Sequence, residues 1–258
     1  MLTLKEVKMG RYTGILLCSD FDGTLYNGKV IPEENMKAIK HFRENGGLFS
    51  VVSGRDSGFL HSFFDGYSFG VPFINYNGAV VYDFDNRKIL SEHFMSGVTM
   101  ELIERILREV DGVCRISFFQ KSGVTRQNID KNGSVAPRLI DNLYKFAVNI
   151  SGDSAAHLAG RDKLREMLSG YTVVRSYEDY VEILEPEFTK APSTRRLKET
   201  VGADMLVCVG DYENDIEMVK NADVGYAVAN AVDELRAVAD RTTVSVDDAA
   251  IARIIEEL

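Results

Sequence analysis

Residues 15–24 read ILLCSDFDGT, a stretch in which a continuous apolar run passes directly into the carboxylate of Asp20. Residues 48–53 (LFSVVS) and 205–211 (MLVCVGD) have the same form, an apolar run closed by a polar side chain. Short runs of this kind, without regular polar alternation, are typical of strands buried on both faces of a parallel sheet. The sequence therefore predicts parallel strands whose carboxyl ends each carry a polar side chain.

Amphipathic helices are predicted between these runs. Pro32 stands at the start of one helix, ahead of Met36, Ile39 and Phe42 at helical spacing. Asp247 is placed to cap a last helix, whose apolar residues share one face. Strands that alternate with helices indicate an α/β fold with a doubly wound, Rossmann-like parallel sheet. Ligands bind beyond the carboxyl ends of such strands, which is where the polar side chains are expected.

The middle of the chain has a different pattern, in which apolar and polar residues alternate along the predicted strands. An amphipathic helix is predicted after Thr99, and further helices are predicted near 138–146 and 161–168. This mixture is typical of an antiparallel α+β domain. The predicted domains are a core formed by residues 1–82 and 188–258 and a smaller α+β insert formed by residues 83–187.

Composition excludes several classes of protein. The chain has 258 residues, with 30 Lys and Arg against 39 Asp and Glu, so its net charge is −9. Nucleic acid binding needs an excess of basic side chains, and no nucleic acid partner is expected. No apolar stretch approaches the roughly 18–20 residues of a membrane helix, so we expect no membrane partner and a cytoplasmic location. Three widely spaced cysteines argue against a disulfide framework. The pattern does not indicate an oligomeric state.

Two acidic clusters follow predicted strands. Asp20 and Asp22 are two residues apart after the first run, and Asp211 and Asp215 follow the run that begins at residue 205. Each cluster alone also fits a turn or a helix start. Carboxylates held close together repel each other, however, and a divalent cation removes this conflict. Mg²⁺ binds a few carboxylates together with water and substrate phosphate, so the two clusters predict a Mg²⁺ site.

A third strand end carries groups that suit an anion. Ser53, Gly54 and Arg55 combine a hydroxyl, exposed backbone N–H groups and a guanidinium, which together match the needs of a phosphate group. A strand-to-helix turn is the alternative interpretation. Lys190, taken alone, also fits an ordinary surface charge.

Four segments, in this order, resemble the motifs of the haloacid dehalogenase superfamily of aspartate-nucleophile phosphohydrolases. Asp20–Thr24 is similar to its first motif, Ser53 to its second, Lys190 to its third and Gly210–Asp215 to its fourth. The likeness extends to Asn77-Gly78-Ala79. The insert resembles, in size and position, the type-two cap of subtype B found in the Cof-like sugar-phosphate phosphatases.

The resemblance implies a role for each matched residue. Asp20 is expected to be the nucleophile that forms an aspartyl-phosphate, and Asp22 is expected to protonate the leaving oxygen and then activate water. The groups expected to bind the phosphoryl group are Ser53, Gly54, Lys190 and Asn214. The groups expected to bind or support Mg²⁺ are Asp20, the backbone carbonyl of Asp22, Asp211 and Asp215.

The predicted function is Mg²⁺-dependent hydrolysis of a small phosphorylated metabolite, such as a sugar phosphate or a related phosphomonoester. A hexose phosphomutase is the alternative enzyme, because both reactions share the aspartyl-phosphate and differ in whether water or a sugar hydroxyl receives the phosphoryl group. A non-catalytic phosphometabolite sensor is the alternative from another class. The complete set of matched acidic residues and the lysine counts against a sensor.

Overall fold

The computed structural model describes residues 10–129, 136 and 139–258. The chain forms two compact units. The first consists of Met1–Ser91 together with Lys190–Leu258, and the second is Glu92–Thr189. The boundaries expected from the sequence follow residues 82 and 187, which are nine and two positions earlier than the observed divisions after residues 91 and 189. Within the described residues, no helix is both long and apolar enough to cross a membrane.

The strands and helices are numbered along the chain. The strands are β1 (Ile15–Ser19), β2 (Leu48–Val51), β3 (Phe73–Asn75), β4 (Val80–Asp83), β5 (Lys88–Glu92), β6 (Val113–Gln120), β7 (Gly123–Asn128), β8 (Leu143–Ile150), β9 (Thr172–Tyr177), β10 (Tyr180–Leu184), β11 (Met205–Gly210), β12 (Val224–Ala227) and β13 (Arg241–Thr242). The helices are α1 (Glu33–Glu44), α2 (Ser57–His61), α3 (Met100–Glu109), α4 (Ser154–Met167), α5 (Lys190–Val201), α6 (Ile216–Lys220), α7 (Asp233–Arg236) and α8 (Ala250–Glu257).

The first unit contains a five-stranded parallel sheet in the order β13-β12-β11-β1-β2. Ser19 at the end of β1 lies opposite Val209 near the end of β11. Because the two strands end almost level, the residues that follow them, Asp20 and Asp211, leave the sheet at the same edge. The structure thus confirms the parallel sheet and its polar carboxyl edge.

Helices cover both faces of this sheet. On one face, α5 and α6 contribute Leu197 and Met218 to a buried cluster with Leu16 and Cys208 of the two central strands. Leu17 points to the opposite face and is also fully buried. Helix α1 contacts both α8 and β2. Burial on both faces explains why these strands have continuous apolar sequences, and it confirms the doubly wound fold.

A second, three-stranded sheet in the order β3-β4-β5 belongs to the same unit, apart from the last residue of β5. It meets the parallel sheet through a bridge between Val52, which follows β2, and Ile74 of β3. The unit therefore continues through nearly all of β5, and this is why the observed division lies later than residue 82.

The second unit is an α+β domain built on an antiparallel sheet in the order β7-β6-β8-β10-β9. Its core joins α3 and α4 to one face of that sheet, through residues such as Ile103, Ile106 and Leu164. Helix α3 confirms the helix predicted after Thr99, whose side chain accepts the Leu102 N–H.

Two local predictions are wrong. The helix expected near 138–146, whose first residue lies outside the described residues, is instead the loop before β8 and the first half of this central strand. Nearly every residue of β8 is buried, so its apolar residues lack the alternation that marks a half-exposed strand. Asp247 does not cap α8 but lies in a preceding 3₁₀ turn, where it accepts a hydrogen bond from Asn27. The helix expected near 161–168 is α4, which begins earlier because Asp153 caps it.

Candidate active site

Asp20 lies at the carboxyl edge of the parallel sheet, directly after β1. Its backbone N–H donates to the Val209 carbonyl oxygen (3.0 Å), which continues the pairing of β1 with β11 by one residue. The residue is only 6% exposed. Burial therefore raises the pKa of Asp20 well above its ordinary value, and the nearby ammonium of Lys190 opposes that shift.

Lys190 is the first residue of α5 and bridges two carboxylates. Its Nζ lies 2.5 Å from Asp20 Oδ1 and 2.7 Å from Asp215 Oδ1, and all three side chains are buried. Burial by itself would lower the pKa of Lys190, but the charges of Asp20 and Asp215 outweigh it and raise the pKa above its ordinary value. The lysine is therefore a permanent cation inside the acidic site.

Asp215 and Asp211 are held by the loop after β11. Asp215 Oδ2 accepts the backbone N–H groups of Asp211 (3.2 Å) and Tyr212 (3.4 Å), which closes the loop onto the end of the strand. Asp211 Oδ1 accepts a hydrogen bond from Thr24 Oγ1 (3.0 Å). Burial, followed by the charge of Asp215, raises the pKa of Asp211 to about 7.

Gly23 allows the two acidic loops to approach each other. Its φ is +82°, and a Cβ built there would lie 2.3 Å from Asp211 Oδ2. A side chain at this position would therefore clash with the carboxylate as well as strain the backbone. The Asn230 side chain secures the same turn, because its Nδ2 donates to the Gly23 carbonyl oxygen (2.8 Å) while its Oδ1 accepts the Val246 N–H (2.9 Å).

Three carboxylates could hold a metal ion. One oxygen from each of Asp20, Asp211 and Asp215 lies within 4.8 Å of the others. A set of hard oxygen donors around one point fits Mg²⁺, which takes a few carboxylates and completes its shell with water or phosphate. The Asp22 carboxylate is not in this group, so any contribution of Asp22 to a metal would come from its backbone carbonyl.

The Asp22 side chain instead forms a two-point ion pair with Arg55. Arg55 Nε donates to Asp22 Oδ2 and Arg55 Nη2 donates to Oδ1, both at 2.8 Å. The guanidinium also lies over the Phe59 ring, 4.4 Å from its centroid. Both charged side chains are nearly half exposed. The pair therefore holds an accessible carboxylate in one orientation two residues after Asp20.

Ser53 and Gly54 follow β2 at the same edge. Ser53 is 1% exposed, and its Oγ accepts the Arg55 backbone N–H (3.1 Å). Within the described part of the chain, the backbone N–H of Gly54 has no hydrogen-bond acceptor. Asn214 lies in the 3₁₀ turn between Asp211 and Asp215, with its Nδ2 3.5 Å from Asn77 Oδ1. Hydroxyl, N–H and amide groups are thus available at the strand ends that carry the acidic cluster.

Sequence reasoning missed three contributions to this site. Thr24 was part of the first motif, yet its bond to Asp211 follows only from the fold. Arg55 was considered for its affinity for phosphate, but the structure pairs it with Asp22. Asn230 is the polar residue that ends the apolar run beginning at Val224, but its bond to Gly23, 207 residues earlier in the chain, follows only from the fold.

The raised pKa values of the carboxylates predict a pH-dependent response to Mg²⁺. Without metal, the folded protein holds a proton on Asp211 that the unfolded chain releases, so this contribution to stability falls as pH rises from about 4 to about 7. Burial raises the pKa of Asp20 as well, which acts in the same direction. Mg²⁺ binds the deprotonated carboxylates. We expect about 100 Kd of Mg²⁺ to raise Tm by about 5–10 °C at pH 8, and by clearly less at pH 5.

Thermal unfolding in MgCl₂ or EDTA at each pH measures this difference. Asp211→Asn is the matched variant, because it removes one carboxylate and keeps the size of the side chain. Its Tm should respond much less to Mg²⁺ at pH 8. An equal Mg²⁺ effect at both pH values, or in both proteins, would contradict a metal site here.

Known proteins share this architecture. The model of the family described as haloacid dehalogenase-like hydrolase matches residues 17–255. The chain is 25% identical to the putative phosphatase YxeH of Bacillus subtilis, over 94% of this chain and 97% of that protein. It is 26% identical to the pyridoxal phosphate phosphatase YbhA of Escherichia coli, over 90% of this chain and 95% of that protein.

The fold is also similar to that of solved structures. The HAD subclass IIB sugar phosphatase BT4131 superposes with a TM-score of 0.73 and 17% identity, covering 94% of this chain and 98% of that structure. This likeness agrees with the parallel core and the inserted antiparallel sheet described above. Since the family model spans nearly the whole chain, the protein belongs to the haloacid dehalogenase-like hydrolases, and within them to the phosphatases.

Proposed function

We propose that the protein is a Mg²⁺-dependent phosphatase that hydrolyses a small phosphorylated metabolite through an aspartyl-phosphate on Asp20. The observation that carries this proposal is the buried Asp20 carboxylate, which shares Lys190 with Asp215 and lies in a cluster of three carboxylates. Hydrolysis of a phosphate monoester is extremely slow without catalysis, so a site for it must gather several fixed cations around the phosphoryl group.

Asp20 is the proposed nucleophile. One carboxylate oxygen attacks phosphorus while the ester P–O bond breaks, so the phosphoryl group moves to Asp20 and the electron pair leaves with the ester oxygen. The reaction requires an ionised carboxylate, whereas burial favours the neutral form. The Lys190 ammonium opposes this effect, because its charge favours the ionised form of Asp20. Bound Mg²⁺ would neutralise the remaining carboxylates and polarise the phosphoryl oxygens.

Asp22 is the proposed general acid and base. In the first step its carboxyl proton passes to the leaving oxygen, and in the second step its carboxylate takes a proton from the attacking water. Water then breaks the bond between phosphorus and Asp20, which releases inorganic phosphate and restores the carboxylate. The partial exposure of Asp22 supports this role, because both the substrate oxygen and water must reach it. Arg55 orients the ionised form of this carboxylate through both of its oxygens, so the acid step requires one of the two contacts to open.

The groups proposed to bind the phosphoryl oxygens are a hydroxyl, a backbone N–H and an ammonium. Ser53 offers its buried hydroxyl, and Gly54 offers its N–H, which has no acceptor among the described residues. Lys190 offers the proton that its two carboxylate contacts leave available. Asn214 is near enough to the same strand ends to support them through its amide.

The proposed substrate class is a small phosphomonoester, such as a sugar phosphate. Two full-length relatives support it: one acts on pyridoxal phosphate, and one of similar fold is a sugar phosphatase. The first unit contains every group proposed for phosphoryl transfer, and none of these groups belongs to the inserted unit Glu92–Thr189. The net charge of −9 argues against long polyanionic substrates.

Release of inorganic phosphate from a panel of sugar, polyol, nucleoside and cofactor monophosphates tests the proposal, with MgCl₂ or EDTA present. We expect Mg²⁺-dependent release from a subset of the panel. The same incubations with hexose 1-phosphates test for a mutase, which would form the 6-phosphate without releasing phosphate. A folded protein that gives neither product would refute the phosphatase and favour a sensor.

A further inference from the structure

The turn that follows β3 has an unusual backbone. Tyr76, Asn77 and Gly78 have φ values of 50°, 58° and 126°, so three consecutive residues adopt positive φ. Side chains other than glycine rarely adopt this region, and a bulky residue such as Tyr76 does so only when its surroundings require it. Asn75 and Asn77 are both fully buried. Such strain inside a core points to a role beyond closing a turn.

The turn holds the segment that carries Ser53 and Gly54. The Ser53 carbonyl oxygen accepts the Asn77 N–H at 2.9 Å. The Arg55 carbonyl oxygen accepts both the Tyr76 N–H (3.2 Å) and Asn75 Nδ2 (3.0 Å). Three hydrogen bonds thus fix two carbonyl groups of one short segment.

These contacts determine which way the segment presents its donors. With the carbonyl groups on either side of Gly54 directed into the turn, the Gly54 N–H stays without an acceptor within the described chain. Asn77 also connects the segment to the loop after β11, because its Oδ1 lies 3.5 Å from Asn214 Nδ2. The left-handed turn therefore links two of the strand ends that carry the site.

We infer that Asn75 and Asn77 are positioning residues for phosphoryl transfer, which orient the Ser53 hydroxyl and the Gly54 N–H towards the phosphoryl group. The inference rests on the proposed function. Asparagine suits position 77 because, among residues with a side chain, it tolerates left-handed φ well. Asn75 contributes less than Asn77, since its side chain supplies a single hydrogen bond, to the Arg55 carbonyl oxygen.

Substitutions at Asn77 separate backbone geometry from the side chain. Valine is β-branched and disfavours positive φ, so Asn77→Val should rotate the turn and release Ser53. We expect it to weaken orthovanadate binding and to lower kcat/KM for p-nitrophenyl phosphate, each by about tenfold. Glycine adopts positive φ freely, so the vanadate affinity and kcat/KM of Asn77→Gly should stay within about threefold of the wild-type values. Asn75→Ala should lower both vanadate affinity and kcat/KM by about threefold.

Arg87 provides the matched control for strain. It also has a positive φ (53°), but it lies in an exposed turn between β4 and β5. Arg87→Val should lower Tm as Asn77→Val does, and it should leave vanadate affinity and kcat/KM unchanged. If Asn77→Val does not fold, Asn77→Ala provides the same comparison at lower strain.

Vanadate affinity from calorimetry with Mg²⁺ present, together with kcat, KM and Tm, completes the test. The inference is overturned if wild type binds vanadate and Asn77→Val binds it equally well while losing only Tm. A wild-type protein that neither binds vanadate nor hydrolyses p-nitrophenyl phosphate would instead refute the proposed function, and this inference with it. The inference is supported if vanadate affinity and kcat/KM fall in Asn77→Val and stay near their wild-type values in Asn77→Gly.

Discussion

Replacing Asp20 with asparagine is expected to abolish hydrolysis, with kcat lowered by about 10⁴-fold or more. An amide oxygen does not attack phosphorus, and no other carboxylate of the site can replace it. Asp211 and Asp215 are held by Thr24 and by backbone N–H groups. The variant should fold, because a neutral amide removes the cost of burying this carboxylate, while Lys190 keeps its contact with Asp215.

Asp22→Asn is the informative companion, because it removes the proposed acid and base but keeps the nucleophile. With p-nitrophenyl phosphate, whose leaving group needs no proton, the first step should proceed and the second should stall. Intact-protein mass spectrometry should then detect one added phosphoryl group in Asp22→Asn and none in Asp20→Asn. Rapid turnover by Asp20→Asn, or a phosphoryl group attached to another residue, would disprove the aspartyl-phosphate on Asp20.

Replacing Lys190 with methionine is expected to lower the free energy of unfolding by about 3–5 kcal/mol in EDTA, as well as to stop catalysis. The ammonium contacts Asp20 and Asp215, and all three side chains are buried. Without it, two carboxylates lie close together in the protein with no cation between them. An unpaired buried charge costs far more than the loss of an ordinary hydrogen bond. Thermal and urea unfolding measure the effect.

The stability lost in Lys190→Met should shrink as pH falls from 8 to 5. In wild type the raised pKa of Lys190 keeps it charged across this whole range, so its own contribution is constant. In the variant, the unpaired carboxyl groups take up protons at higher pH than ordinary carboxyl groups do. The folded variant therefore gains stability relative to wild type as the pH is lowered.

Lys198→Met is the matched control on the same helix. Lys198 also pairs with an aspartate, Asp223, but both side chains are partly exposed (24% and 49%). An exposed pair contributes about 0–1 kcal/mol, so this variant should be nearly as stable as wild type and fully active. Equal losses in the two methionine variants, or a pH-independent loss in Lys190→Met, would contradict the role given to burial.

Several features of the fold could be predicted from local sequence. Continuous apolar runs predicted the buried parallel strands, because both faces of β1 and β11 are covered. Thr99 and its apolar stripe predicted α3, since a cap and a 3.6-residue period are properties of a single segment. The same method failed at β8, which is buried along nearly its whole length and so lacks the alternation that marks a strand.

The candidate site was predictable in its residue types but not in its pairings. Asp20 and Asp211 could be assigned to one sheet edge, because parallel strands end together. Nothing local showed that Arg55 contacts Asp22, or that Asn77 adopts a left-handed conformation beneath Ser53. Each of these depends on contacts between segments that are far apart in the chain.

The sequence by itself determined the family, the doubly wound core and the acidic groups at its strand ends, because motif spacing and hydrophobic pattern are local properties. The tertiary structure decided which charges meet. Lys190 reaches Asp20 across 170 residues of sequence, with the inserted unit lying between them in the chain. Burial and the neighbouring charges then set the pKa values of these groups, since both depend on everything packed around a side chain. A short segment of sequence contains no such information.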